Sequence, residues 1–129
     1  MATILLASED AHSAGVLAAE LGAEGHRVLV LASGQDVCEA AAAESPTMVF
    51  LDMKLAVFNG LETCRMLRDD PNTPPQLPIY LLADVPPDAH VLAKAGVTGC
   101  FPKVHETRQV RDLLAYHTVI AGDGDGRNE

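Results

Sequence analysis

The chain has 129 residues, of which 48% are hydrophobic and 21% charged, so it can build one packed domain and wholesale disorder is not expected. Nine Lys and Arg against 18 Asp and Glu give a formal net charge of −9, which disfavours binding to nucleic acid or to an anionic membrane surface. No apolar run reaches the roughly 18 residues of a membrane span. The three cysteines lack C-x-x-C spacing, so we expect a reduced, cytoplasmic domain without a disulfide framework or a zinc site.

Short apolar runs alternate along the chain with segments of helical spacing. The apolar runs predict buried strands at 3–7, 27–32, 48–51, 79–82 and 99–102. The segments that follow them predict helices at 12–23, 35–43, 61–70, 86–96 and 106–120. We therefore expect one domain over residues 3–120 and a disordered polar tail over 121–129.

This alternation predicts an α/β fold with a doubly wound, five-stranded parallel sheet of the flavodoxin-like (βα)5 kind, with strand order 2-1-3-4-5. In such a fold, functional groups gather at the carboxyl ends of the strands. The chemically notable residues that follow predicted strands are Glu9, Asp10, Asp52, Ala83, Asp84 and Lys103.

Carboxylates and a lysine at one sheet edge indicate phosphoryl chemistry. Magnesium prefers oxygen ligands and keeps several waters, so one or two carboxylates and a backbone carbonyl can hold it. A cation and a lysine could neutralise a phosphoryl group while a carboxylate attacks it and forms an acyl phosphate. Asp52, at the end of the most apolar central strand, is the best candidate for that nucleophile.

Two segments carry a family resemblance. Residues 49–60, which read VFLDMKLAVFNG, place Asp52 eight residues before Gly60, and residues 95–103, which read AGVTGCFPK, end on Lys103. Together with the strand at 78–82, they resemble the receiver domain of two-component response regulators, and the resemblance covers about residues 3–120. The resemblance implies that Asp52 is the phosphoacceptor and that Lys103 contacts the phosphoryl group.

The resemblance also implies a magnesium site, which this chain alters. An ungapped count places Ser8 and Glu9 at the two acidic positions of the family, so one acid is lost unless the register slips by one residue and Asp10 serves. The implied ligands are Glu9, Asp52 and the backbone carbonyl of Lys54, with Asp10 as the alternative. The Lys54 side chain could compete with the cation, and we therefore expect Mg²⁺ binding to be weak.

Three further positions depart from the family pattern. Ala83 replaces the switch Thr or Ser, Cys100 replaces the switch aromatic residue, and Val104 replaces the proline after Lys103. A non-proline cis peptide costs about 2.5–4 kcal/mol, so we expect a trans bond before Val104. The loss of the hydroxyl at Ala83 removes the usual coupling between phosphorylation and loop movement.

The leading hypothesis is a stand-alone receiver domain, weakly phosphorylated at Asp52 or not at all, that acts as a protein-interaction module in bacterial signalling. The alternative is a conventional single-domain response regulator that a histidine kinase or a phosphotransfer protein phosphorylates with Mg²⁺. Neither is an enzyme beyond self-phosphorylation and autodephosphorylation at Asp52. Output would pass to a downstream protein, or to a second copy, through the fourth helix, fifth strand and fifth helix. A flavodoxin-like cofactor binder or a phosphatase is a remote third hypothesis.

Overall fold

The structure, a computed structural model, describes residues 3–124. Its strands are β1 (Thr3–Ala7), β2 (Arg27–Leu31), β3 (Met48–Asp52), β4 (Ile79–Leu82) and β5 (Gly99–Phe101). Its helices are α1 (Ala11–Ala23), α2 (Gly34–Glu44), α3 (Gly60–Asp69), α4 (Ala89–Ala95) and α5 (Thr107–Gly124). Strands and helices alternate throughout, as the apolar pattern predicts.

The five strands form one parallel sheet in the order β2-β1-β3-β4-β5, which confirms the predicted topology. Every residue of β3, the central strand, is buried. The prediction of a buried second strand is wrong, because β2 has a neighbour on one side only and Val30 is 52% exposed.

Side chains alternate between the two faces of the sheet, so the sheet has a core on each side. One core packs α1 and α5 against the sheet and includes Leu17, Phe50 and Val110. The other packs α2 and α3 against the opposite face and includes Val37 and Cys64. Adjacent residues of one strand therefore serve different layers, and this fixes which way the side chains at the strand ends point.

The helix ends follow local capping signals. Asn59 caps α3 in a capping box with Glu62, and Asp88 caps α4, which has only 7 residues and ends at Gly96 in the left-handed conformation. The fourth helix is shorter than the predicted 86–96, because it begins at Ala89 after the Asp88 cap. The expected end of the fifth helix at residue 120 is wrong, because α5 continues to Gly124. The helix thus includes the first residues of the expected tail, and the rest of that tail, residues 125–129, lies outside the described residues.

Between residues 3 and 124, no helix is long and apolar enough to cross a membrane.

Candidate functional site

Asp52 is the centre of the site, at the carboxyl end of β3. It is 4% exposed, yet both of its carboxylate oxygens have donors. Oδ2 accepts a hydrogen bond from the Ser8 hydroxyl at 3.0 Å and lies 2.9 Å from the Lys103 ammonium. Oδ1 accepts a long hydrogen bond of 3.4 Å from the backbone N–H of Lys54. Burying a carboxyl group is costly without hydrogen-bond partners, and these three donors offset that cost.

Gly60 allows the chain to fold back closely behind Asp52. Its backbone N–H donates to the Met53 carbonyl at 3.0 Å, and a Cβ at this position would lie 2.4 Å from the Asp52 backbone oxygen. Any side chain here would push the end of β3 away from the start of α3. The glycine eight residues after the acceptor, noted in the sequence, therefore has a packing reason.

The loop between Asp52 and Gly60 also holds a strained residue. Val57 has φ = 72°, and the Phe58 N–H donates across it to the Ala56 carbonyl at 2.8 Å, which forms a γ-turn of the rare, strained type. The loop is fixed from the other side, because the Gly34 N–H donates to the same carbonyl at 3.1 Å. Strain of this kind persists only where surrounding contacts over-determine the backbone.

Lys103 is the positive charge beside Asp52. It follows β5, its side chain is 27% exposed, and its ammonium meets Asp52 at 2.9 Å. The hydrogen bond to Asp52 raises the pKa of Lys103 above the ordinary value. The structure thus brings together Asp52 and Lys103, the two residues that the sequence placed at the centre of the site.

Glu9 and Asp10 do not join this pair. Glu9 is exposed, whereas Asp10 is the N-cap of α1 and accepts from the Ser13 hydroxyl at 2.9 Å and the His12 N–H at 3.1 Å. The Ser13 hydrogen bonds lower the pKa of Asp10. It is therefore ionised, but it serves the helix rather than the pocket.

The donor set can be compared with the needs of a divalent cation. In the described part of the chain, no three His, Cys, Asp or Glu side chains come together in a way that could hold a metal ion. Beside Asp52, the described side chains supply the neutral Ser8 hydroxyl and the Lys103 ammonium, and an ammonium opposes a cation. In the described residues Asp52 is the carboxylate at this point, so a magnesium ion would depend on backbone oxygens and water for its other ligands.

Lys54 has a smaller role than the sequence suggested. Its side chain is exposed, and only its backbone N–H contacts Asp52. The cation that neutralises the acceptor carboxylate in the described structure is Lys103.

The two switch positions lie where the sequence placed them. Ala83 follows β4, and its N–H donates to the Phe101 carbonyl at 3.1 Å, but it offers no hydroxyl. Cys100 is half-buried on β5, and burial raises the pKa of its thiol. Phe101 does not take the place of the missing aromatic residue, because it points into the core beneath α1 and α5 and its neighbour Cys100 points to the other face.

Sequence reasoning missed two parts of the site. Ser8 was noted only as the loss of an acid, whereas its hydroxyl is a direct partner of Asp52. His105, which lies two residues after Lys103, bonds to Glu20 on α1 at 2.5 Å. The position of Ser8 could have suggested its role, but no sequence signal connects Glu20 with a histidine 85 positions away.

The chain matches a known family and known structures. The model of the response regulator receiver domain matches residues 4–115. The transcriptional regulatory protein AfsQ1 of Streptomyces coelicolor is 35% identical over 82 residues, which cover 64% of this chain and 35% of AfsQ1. This chain thus spans about a third of the length of the curated relatives that it matches.

Solved structures share the fold at low identity. The chemotaxis response regulator CheY4 of Vibrio cholerae superposes with a TM-score of 0.81 at 19% identity, covering 90% of this chain and 98% of CheY4. The receiver domain of the sensor histidine kinase PA1611 of Pseudomonas aeruginosa, which has a magnesium ion coordinated in its active-site cleft, gives a TM-score of 0.78 at 23% identity, covering 88% and 93% of the two chains.

The 2-1-3-4-5 parallel sheet and these superpositions define a CheY-like fold. More specifically, the chain belongs to the response regulator receiver domain family of two-component signalling, because the family model covers nearly the whole of the described domain.

Proposed function

We propose that this receiver domain is atypical: Asp52 is phosphorylated slowly or not at all, and the domain acts as a protein-interaction module. The observation that carries the proposal is Ser8, whose neutral hydroxyl donates to Asp52 Oδ2 at 3.0 Å at a position where the sequence resemblance implies an acid. A neutral hydroxyl attracts a divalent cation less than a carboxylate does, so the magnesium that assists phosphoryl transfer would be held more weakly.

The surroundings of the acceptor support weak magnesium binding. Glu9 points into solvent, Asp10 caps α1, and Ser8 contributes a neutral oxygen in place of a second acid. A single carboxylate with an ammonium beside it holds a hard dication less tightly than two carboxylates do. The PA1611 receiver domain does hold magnesium, so a family member at this level of similarity can bind it.

The proposal extends to how the domain signals. Ala83 has no hydroxyl to meet a phosphoryl oxygen, and Cys100 provides no aromatic ring to rotate. We expect output through the α4–β5–α5 face, where Val91 is 41% and Tyr116 is 59% exposed. The partner would be a downstream protein or a second copy of the chain, in the cytoplasm. Sedimentation of the wild type and of Tyr116→Ser over a range of concentrations distinguishes the two, since only self-association shows in the purified protein.

The second candidate is a conventional response regulator that accepts a phosphoryl group from a histidine kinase or a phosphotransfer protein. The observation that favours it is the intact Asp52–Lys103 pair at 2.9 Å, together with the response regulators among the relatives. In this case Asp52 and the backbone carbonyl of Lys54 would hold the magnesium ion, with waters as further ligands.

One experiment separates the two candidates. The purified protein is mixed with magnesium and acetyl phosphate, and the intact mass is followed over time. We expect little modification of the wild type and faster, magnesium-dependent modification of Ser8→Asp, since that variant places a second carboxylate next to Asp52. Rapid and stoichiometric modification of the wild type at Asp52 would refute the atypical function and support the conventional one.

Two control variants make the result specific. Ser33→Asp adds an acid at the N-cap of α2, where aspartate is as acceptable as serine, and it should not increase modification. Asp52→Asn in the Ser8→Asp background should abolish any modification, which shows that the phosphoryl group is on Asp52.

A further inference from the structure

We propose that His105 is a positioning residue for Lys103: it fixes the loop between β5 and α5 against α1, so that the lysine ammonium stays on Asp52. This inference deepens the proposed function and rests on its assignment of Lys103 to the acceptor site. It concerns His105, Glu20 and Thr107, which the phosphoacceptor chemistry itself does not use.

His105 binds the backbone of the loop between β5 and α5. Its side chain is 3% exposed, and Nδ1 lies 3.1 Å from the carbonyl oxygens of both Pro102 and Lys103. Carbonyl oxygens only accept, so the Nδ1 hydrogen donates to the backbone of Lys103 and of its predecessor. The ring also packs on Phe101, with centroids 5.0 Å apart. The imidazole therefore holds the backbone from which the Lys103 side chain extends.

Glu20, on α1, binds this loop from outside. His105 Nε2 lies 2.5 Å from Oε1 of Glu20, whose side chain is 13% exposed on α1. The other oxygen, Oε2, accepts from the Thr107 hydroxyl at 2.8 Å at the start of α5. One carboxylate on α1 thus binds two residues that follow Lys103, and the imidazole connects that carboxylate to the lysine backbone.

Asp84 binds the loop on the side opposite Glu20. The Val104 N–H donates to Asp84 Oδ1 in the β4–α4 loop at 3.0 Å, so residues 103–105 are bound to neighbouring elements on both sides. Lysine has a long, flexible side chain whose ordering is entropically unfavourable. A fixed backbone reduces the number of positions from which the ammonium must find Asp52. The His105 contacts provide that restraint on the α1 side.

The experiment measures the pKa of Lys103 by NMR titration of its side chain in the full chain. The hydrogen bond to Asp52 raises this pKa, so its value reports whether the ammonium stays on the carboxylate. We expect His105→Ala and Glu20→Ala to lower it toward 10.5, the ordinary lysine value. Glu20→Gln retains a polar partner for Nε2, since its amide group can either donate or accept, and it should preserve more of the elevation than Glu20→Ala.

A matched control separates positioning from charge. Glu106→Ala removes an exposed acid from the same loop, one residue after His105, and should leave the Lys103 pKa unchanged. The melting temperature of each variant is recorded alongside, since a purely structural role would lower it without moving the Lys103 pKa. If His105→Ala does not fold, Glu20→Ala and Thr107→Val decide the question from the partially exposed side of the network.

The outcomes distinguish this inference from the proposed function. An unchanged Lys103 pKa in both His105→Ala and Glu20→Ala would overturn the positioning role while leaving the acceptor site intact. Asp52→Asn must lower the Lys103 pKa if the acceptor pair exists. If it does not, the pairing on which the proposed function is built fails instead.

Discussion

The charge pair at the acceptor gives the sharpest stability prediction, through the substitution Lys103→Met. Methionine retains most of the apolar stem of lysine but removes the ammonium that lies 2.9 Å from Asp52. Asp52 would then remain 4% exposed with only the Ser8 hydroxyl and a long backbone hydrogen bond as partners. A buried charge that loses its counter-ion is strongly destabilising, so unfolding should become easier.

The magnitude follows from the geometry. Two unit charges at this separation attract by about 6 kcal/mol at an effective dielectric constant of about 20, which is an upper bound. The Lys103 side chain is 27% exposed, so solvent screening and the desolvation of both groups reduce the net value. We expect Lys103→Met to lower the free energy of unfolding by about 2 kcal/mol, or the melting temperature by about 8 °C for a domain of this size.

The difference in unfolding free energy between the wild type and Lys103→Met should depend on pH, and this dependence identifies its origin. The pKa of Lys103 is raised in the folded state, so its contribution is fully present below 10.5 and is lost as the pH rises through the folded-state pKa. Urea unfolding of the wild type and of Lys103→Met, from neutral pH to above 10.5, should therefore show two curves that converge in the alkaline range.

Lys54→Met is the matched control, since it removes an exposed ammonium two residues after Asp52 and should change stability by less than about 0.5 kcal/mol. A Lys103→Met effect no larger than this control, or one that stays constant through the alkaline range, would refute the assignment of Lys103 as the counter-ion of Asp52.

Three further predictions concern the framework around the site. The His117 Nε2 lies 2.7 Å from the Tyr80 hydroxyl, and burial lowers the pKa of this imidazole. The free energy of unfolding should therefore fall as the pH drops below 6.5. In thermal melts at a series of pH values, His117→Gln should show a smaller fall than the wild type. Gly60→Ala should cost about 1–3 kcal/mol in urea unfolding, because its Cβ would lie 2.4 Å from the Asp52 backbone oxygen; an unchanged midpoint would contradict that clash. Arg68→Met removes a guanidinium that donates to three backbone carbonyls, one of them that of Gly96, the residue that follows α4. Hydrogen exchange of the backbone amides should therefore accelerate more in α4 than in α1.

Much of the fold was predictable because its signals are local. Apolar runs of strand length, separated by segments of helical spacing, predict parallel strands with helical crossovers, and the topology followed from them. The exposed faces of β2 were predicted wrongly because whether an apolar strand lies at an edge depends on neighbours that are distant in sequence. The end of α5 was also predicted wrongly, since the helix includes Gly122 and continues to Gly124.

The site was predictable in part. By itself, the sequence identified Asp52 and Lys103 as its central residues, because parallel strands end at one edge and their last residues must meet there. Only the tertiary structure decided what each neighbour does: Ser8 binds the acceptor, Asp10 turns to cap α1, and the Lys54 side chain faces solvent. These outcomes depend on side-chain directions and on competition between hydrogen-bond partners. Both are set by the packing of residues far apart in the chain.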